Sequence, residues 1–227
     1  MTERFLLYYI TDRAAFPGDE RTRRRRLLDK IAEAASHGVD YIQLREKDLS
    51  TRKLELLARE AMSIFRDVNP ASGVRHPATA LLINSRVDVA LASGAAGVHL
   101  RADDVSPAEV RAGWKCGAGA PTREISVRDP LIAVSCHSSQ DVAQAGESGA
   151  TFAVFAPVFE KAGAPGISPA GLDVLRQACR ARIPVLALGG MTLQNAESCL
   201  QAGAAGIAAI RLFQENDIGA IVRELRS

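Results

Sequence analysis

With 227 residues, 47% of them hydrophobic and 24% charged, the chain has the profile of a globular domain with a substantial core. A net charge of +2 and only 5% aromatic residues give neither an electrostatic nor a stacking case for nucleic acid. The four cysteines are dispersed without metal-ligand spacing, and no apolar segment approaches the ~18 residues of a membrane span, so a cytoplasmic protein with reduced thiols is expected.

Phe5–Ile10 reads as a first strand, too short for a signal-peptide core, and runs into Thr11-Asp12-Arg13. The basic run from Arg21 to Arg26 opens a helical pattern over 22–37. Asp19, Glu20 and Asp29 balance it, which marks a solvated helix start rather than a nucleic-acid or membrane patch. A second strand, Tyr41–Leu44, leads into Arg45-Glu46-Lys47-Asp48. Strand side chains alternate, so Gln43, Arg45 and Lys47 share one face, with Leu44 and Glu46 on the other. Two cations and an amide converging suit a polyanion such as a diphosphate, because Arg forks onto phosphate oxygens and Lys adds a point charge.

Further strands are expected at Ala80–Ile83, Gly97–Leu100, Ile132–Ser135, Phe152–Phe155, Val185–Leu188 and Gly206–Ile210. Amphipathic stretches at 51–66, 86–93, 106–113, 139–148, 169–181, 193–201 and 215–225 alternate with them. A helix end, a Gly suited to a left-handed cap, two small or polar residues and a strand recur at Gly38, Gly94, Gly149 and Gly203, before every even strand. Eight strand–helix units in this length predict a single-domain α/β (β/α)₈ barrel. The Gly, Ala and Pro-rich stretch 117–130 is expected to be an inserted loop on the face opposite the site.

Barrels of this kind carry chemistry at the C-terminal ends of their strands. Those ends supply Asn84-Ser85-Arg86, Asp103-Asp104, Ser135-Cys136-His137-Ser138, Phe159-Glu160-Lys161, Gly189-Gly190-Met191 and Ile210-Arg211. Paired glycines before a helix start let backbone N–H groups approach a phosphate, and Thr192 and Asn195 fit that start. Asp103-Asp104 suits either Mg²⁺ ligation or a helix N-cap. His137 suits a general acid/base or a donor to phosphate, whereas His37, His76 and His99 read as structural or exposed.

Tyr9-Ile10-Thr11-Asp12, Gln43-Leu44-Arg45-Glu46-Lys47-Asp48, Leu82-Ile83-Asn84-Ser85-Arg86, Gly97-Val98-His99-Leu100, Val134-Ser135-Cys136-His137-Ser138, Pro157-Val158-Phe159 and Gly189-Gly190-Met191 occur in this order. The ordered set, spanning nearly the whole chain, resembles the thiamine phosphate synthase/TenI superfamily. The resemblance implies coupling of a hydroxymethylpyrimidine diphosphate to a thiazole phosphate, with Mg²⁺ assisting release of diphosphate. It also implies that Gln43, Arg45, Lys47 and Asn84 hold the pyrimidine diphosphate, that Asp104 binds Mg²⁺, and that Gly190 and the backbone near Arg211 take the thiazole phosphate. Ser135 and Gly189 complete the substrate-binding set, and Arg45, Lys47, His137 and Lys161 are the candidates for catalysis.

The chain departs from the synthase pattern at three places. Ser85 stands where a second metal-binding Asp is usual, the segment after Phe159 lacks the usual Thr-rich run, and Arg211 replaces a usual Ser. A TenI-type thiazole tautomerase and a non-catalytic phosphate-binding relative are therefore the alternatives, and homo-oligomer formation is left open.

Overall fold

Alternating inward and outward side chains close this chain on itself. A computed structural model describes residues 4–67, 79–117, 129–160 and 168–226. The order is β1 (Leu6–Ile10), α1 (Glu20–Ser36), β2 (Tyr41–Leu44), α2 (Thr51–Asp67), β3 (Ala80–Asn84), α3 (Val87–Ser93), β4 (Gly97–Leu100) and α4 (Pro107–Gly117). It continues with β5 (Leu131–Cys136), α5 (Ser139–Glu147), β6 (Phe152–Phe155), α6 (Gly171–Ala178), β7 (Val185–Leu188), α7 (Leu193–Gln201), β8 (Gly206–Ala209), α8 (Arg211–Gln214) and α9 (Ile218–Arg226). The strands form a closed barrel in sequence order. Parallel pairing closes it where Tyr8 of β1 meets Ala208 of β8 on one side and Tyr41 of β2 on the other.

The pleat sorts residues into two cores. Leu7, Tyr9, Ile42, Leu44, Leu81, Ile83, Val98 and Leu100 face outward into the layer shared with the helices. Tyr8, Ile10, Leu82, Ala133, Phe152, Val154, Leu186 and Ala208 fill the barrel interior. Inside, Tyr41 stacks on Phe152 with ring centroids 4.8 Å apart, and Tyr8 meets Phe152 edge-on at 5.6 Å. Both Tyr41 and Phe152 begin their strands, so these rings plug the N-terminal end and leave the interior open at the C-terminal end. Asp40 closes the plugged end further. Its carboxylate accepts from the Leu7 N–H and pairs with Arg4 and Arg226.

All eight expected strands form, with shifts of one residue at some ends. Gly38, Gly94, Gly149 and Gly203 all take left-handed backbone at their helix ends, as the repeated phrase predicts. Ser138 with Asp141 and Thr192 with Asn195 form reciprocal capping boxes that start α5 and α7. The helix expected over 215–225 forms as α9, starting three residues later, and the short α8 ahead of it adds a helix outside that range. Asn216 donates to the Leu212 carbonyl and Asp217 accepts from the Ala220 N–H, so these two polar residues separate the helices. A short 3₁₀ turn at Arg13–Ala15 was not expected. Most of the 117–130 stretch lies outside the described residues.

Candidate active site

The pleat that sorts the core also builds a cavity of about 530 Å³ over the C-terminal ends of the strands. Gln43, Asn84, His99 and Ser135 are the inward residues nearest the ends of β2, β3, β4 and β5, and all four line it. Arg45, Lys47, Arg101, His137, Gly189 and Gly190 join them from the loops beyond, and Arg211 from the start of α8. Nine residues singled out from sequence therefore meet in one cavity: Gln43, Arg45, Lys47, Asn84, Ser135, His137, Gly189, Gly190 and Arg211. Lys161 lies outside the described residues.

A one-way chain of hydrogen bonds runs from Asp104 and Ser85, which are not among the lining residues, to Asn84 and Gln43, which are. The Asp104 carboxylate is acceptor-only, so the Ser85 hydroxyl at 2.6 Å must donate to it. Ser85 Oγ then accepts from Asn84 Nδ2 at 3.2 Å, and Asn84 Oδ1 accepts from Gln43 Nε2 at 2.7 Å. Each step leaves only one orientation for the next amide. The chain ends at Gln43 Oε1, a buried acceptor with no partner among the described residues. A buried polar atom left unmade costs about 1–3 kcal/mol, which a ligand N–H placed there would recover.

One wall of the cavity is cationic. Arg45, with burial and Arg101 adding to it, pushes the Lys47 ammonium below its ordinary range. Like charges held this close lower one another's proton affinity, and a bound polyanion relieves them. Arg101 follows strand four in the sequence, where nothing assigns it a role beyond that of one residue of a charged loop. Its guanidinium also pairs with Asp103 at 3.1 Å.

Asp104 is not the N-cap of α4. Ser106 accepts from the Glu109 N–H and takes that role, while Asp104 folds back to accept from Ser85 and from the Arg101 N–H at 2.7 Å. Its other oxygen faces the Arg101 guanidinium at 3.6 Å. Among the described residues no three His, Cys, Asp or Glu side chains cluster as a metal cage. A single carboxylate, 3.6 Å from the Arg101 guanidinium of that wall, fits Mg²⁺ where phosphate oxygens and water fill the rest of its shell. Ser85 itself is the one described non-glycine residue with positive φ, at 58°.

The glycine pair lines the cavity and also lets another part of the chain come close. Gly190 has φ +63°, and a Cβ there would stand 2.4 Å from the Glu160 carbonyl oxygen. A Cβ on Gly189, at φ +105°, would meet Pro157 at 2.8 Å. The missing side chains admit the chain's own loop after β6, packed beside the cavity.

His137 Nδ1 lies 2.7 Å from the Ala156 carbonyl, which only accepts, so the ring proton sits on Nδ1. Its Nε2 has no partner among the described residues. Cys136, next to it, faces the outer core, and burial pushes its thiol up to about 12, which removes it as a nucleophile. His99, read from sequence as structural or exposed, is buried and lines the cavity. Its place as the third residue of β4, between outward Val98 and Leu100, was the available signal.

The thiamine monophosphate synthase family model matches residues 7–213, all eight strands but the first residue of β1 included. The chain belongs to this family. A putative thiamine-phosphate synthase of Geobacter sulfurreducens is 40% identical over 208 residues, covering 91% of this chain and 85% of that protein. A thiamine-phosphate synthase of Roseiflexus sp. is 34% identical over 207 residues, covering 90% and 76%. Among solved structures, a thiamine phosphate pyrophosphorylase from Pyrococcus furiosus superposes with a TM-score of 0.74 at 27% identity, covering 99% of this chain and 95% of that one. Family membership, the closed barrel and the cavity at its C-terminal end agree with one another.

Proposed function

We propose that this member of the thiamine monophosphate synthase family joins hydroxymethylpyrimidine diphosphate to thiazole phosphate and releases diphosphate. The observation that carries this reading is Gln43 Oε1, unpaired among the described residues, beside the cationic wall of Arg45, Lys47 and Arg101. An aminopyrimidine offers an N–H to the former, and its diphosphate meets the latter.

The bond between the pyrimidine methylene and the diphosphate oxygen breaks as negative charge gathers on the leaving group. Arg45 and Lys47 stabilise that charge because they are already in place before it develops. The thiazole nitrogen then attacks the methylene carbon. Asp104 is the residue that would hold Mg²⁺, which when bound supplies further neutralisation of the diphosphate. Gly189, Gly190 and the backbone near Arg211, across the cavity, are assigned to the thiazole phosphate. Lys161 remains a candidate for catalysis from the loop after β6.

The test is direct: purified protein with both substrates and Mg²⁺ is expected to form thiamin phosphate and diphosphate in equal amounts. Absence of both products overturns the reading.

A second reading, thiazole tautomerase, is favoured by one feature. His137 lines the cavity with an Nε2 that has no partner among the described residues and with its Nδ1 proton tied to Ala156, the form a general base needs. Incubation with the thiazole tautomer alone separates the two. Isomerisation that His137→Asn lowers about 10²-fold, without any coupling in the wild type, establishes the tautomerase in place of the synthase.

A further inference from the structure

Ser135 lines the cavity, and its hydroxyl stands at the end of a buried row. Tyr8 Oη lies 3.0 Å from His99 Nδ1, and His99 Nε2 lies 2.7 Å from Ser135 Oγ. Tyr8 has no exposed surface and His99 is 2% exposed, with their rings stacked at 5.8 Å. We infer that Tyr8 and His99 set the direction of this row so that the Ser135 hydroxyl proton points into the cavity. Ser135 is thereby a donor to an anionic substrate and not a base.

A neutral imidazole carries one N–H and one lone pair, so the row runs in one of two directions. In the first, the Tyr8 O–H donates to Nδ1 and the Nε2 proton donates to Ser135 Oγ. The serine proton is then free for a ligand. In the second, Nδ1–H donates to Tyr8 and Ser135 donates to Nε2. The phenol proton then needs another acceptor, and Tyr8 Oη has none among the described residues. The first direction satisfies every buried donor; the second strands one.

The ionisation states agree with this. Burial, with Arg45 adding to it, holds the His99 imidazole down at about 3 against the opposing pull of Asp104, and burial keeps the Tyr8 phenol protonated. His99 is therefore neutral and Tyr8 a competent donor through the working pH range. Both act on a ligand through the Ser135 hydroxyl, so both are positioning residues. Toward a diphosphate, the second direction would present only serine lone pairs, whereas the first presents a proton.

This inference rests on the proposed function only for the identity of the anion. The first test does not depend on it. In ¹⁵N-labelled protein, the nitrogen shifts of His99 are expected to report the Nε2–H tautomer, unchanged between pH 8 and 5. An Nδ1–H tautomer, or a ring that titrates there, overturns the inference.

The second test uses inorganic diphosphate as the probe. Ser135→Ala and Tyr8→Phe are each expected to weaken its binding about 3- to 10-fold, and the double variant to lose no more than Ser135→Ala alone. Additive losses show Tyr8 acting independently of Ser135 and overturn the relay. Wild-type protein that binds no diphosphate defeats the proposed function, and the tautomer then decides the relay by itself.

Discussion

Thr11 donates its hydroxyl to Glu46 Oε1 at 2.6 Å and accepts the Arg45 N–H at 3.0 Å on the same oxygen. One side chain at the end of β1 thus fixes the segment that carries both Arg45 and Lys47. Arg13 adds to it from the same loop. Its N–H and guanidinium reach Glu46, and its guanidinium forks onto Asp48 at 2.8 and 2.9 Å. Asp48 chiefly, with Glu20 and Glu46, holds the Arg13 guanidinium charged, while burial raises the Glu46 carboxyl above its ordinary range. The cations that face the cavity are therefore held from behind by a charge network that does not touch it.

Glu46→Gln keeps the shape and removes the charge. Arg13 retains Asp48 and Glu20, so the protein is expected to fold with a loss of about 1–3 kcal/mol from weakened buried hydrogen bonds. Diphosphate affinity should fall as well, because Arg45 and Lys47 lose their fixed position. Urea unfolding and calorimetric titration with diphosphate read the two effects, and unchanged affinity would show that the network serves stability alone.

Arg45→Ala should weaken binding of the pyrimidine diphosphate by roughly 2–5 kcal/mol, the range for a close charge pair in a desolvated site. The more exposed Lys47 should cost less when neutralised. Arg45→Ala should also raise the Lys47 pKa towards its ordinary value, since Arg45 is the main cause of its depression. NMR titration of the lysine side chain measures this, and a Lys47 pKa that does not move removes Arg45 from the cationic wall.

Ser85→Asp places a second carboxylate against Asp104, across a contact now 2.6 Å long. The left-handed backbone at position 85 accepts Asp, which visits that region more readily than most residues. Without metal the two carboxylates repel, so the melting temperature should drop. Mg²⁺ should restore it in Ser85→Asp and shift the wild type far less, because binding to the folded form alone stabilises by mass action. Equal Mg²⁺ shifts in both proteins would mean that position 85 does not limit the metal site.

His99 makes stability depend on pH. Its folded pKa is lowered from 6.5 to about 3, so below pH 6.5 the unfolded chain binds a proton that the folded chain refuses. Its stabilising contribution is complete above pH 6.5 and is lost as the pH falls towards 3. Between pH 6.5 and 5 this amounts to about 2 kcal/mol. His99→Gln should flatten that part of the profile in denaturant titrations, and an unchanged slope would place a different group behind it.

Much of this protein is legible one residue at a time. The periods of two and 3.6, with glycines recurring before even strands, were enough for the barrel. Strand alternation was enough to turn Gln43 inward, because that alternation is a local property of extended backbone, whereas Arg45 and Lys47 lie past the end of β2 and are held there by Thr11, Arg13 and Glu46. What each neighbour does was decided only by closure of the barrel. Closure turned His99 into the link between Tyr8 and Ser135, residues far apart in the chain. It set Asp104 on Ser85 instead of at a helix cap, and so left Gln43 Oε1, at the far end of that chain, unpaired among the described residues. It also gave the space beside Gly189 and Gly190 to the loop after β6. Local pattern chooses the element and the face, whereas a hydrogen-bond direction or a close approach depends on atoms that sequence separation does not order.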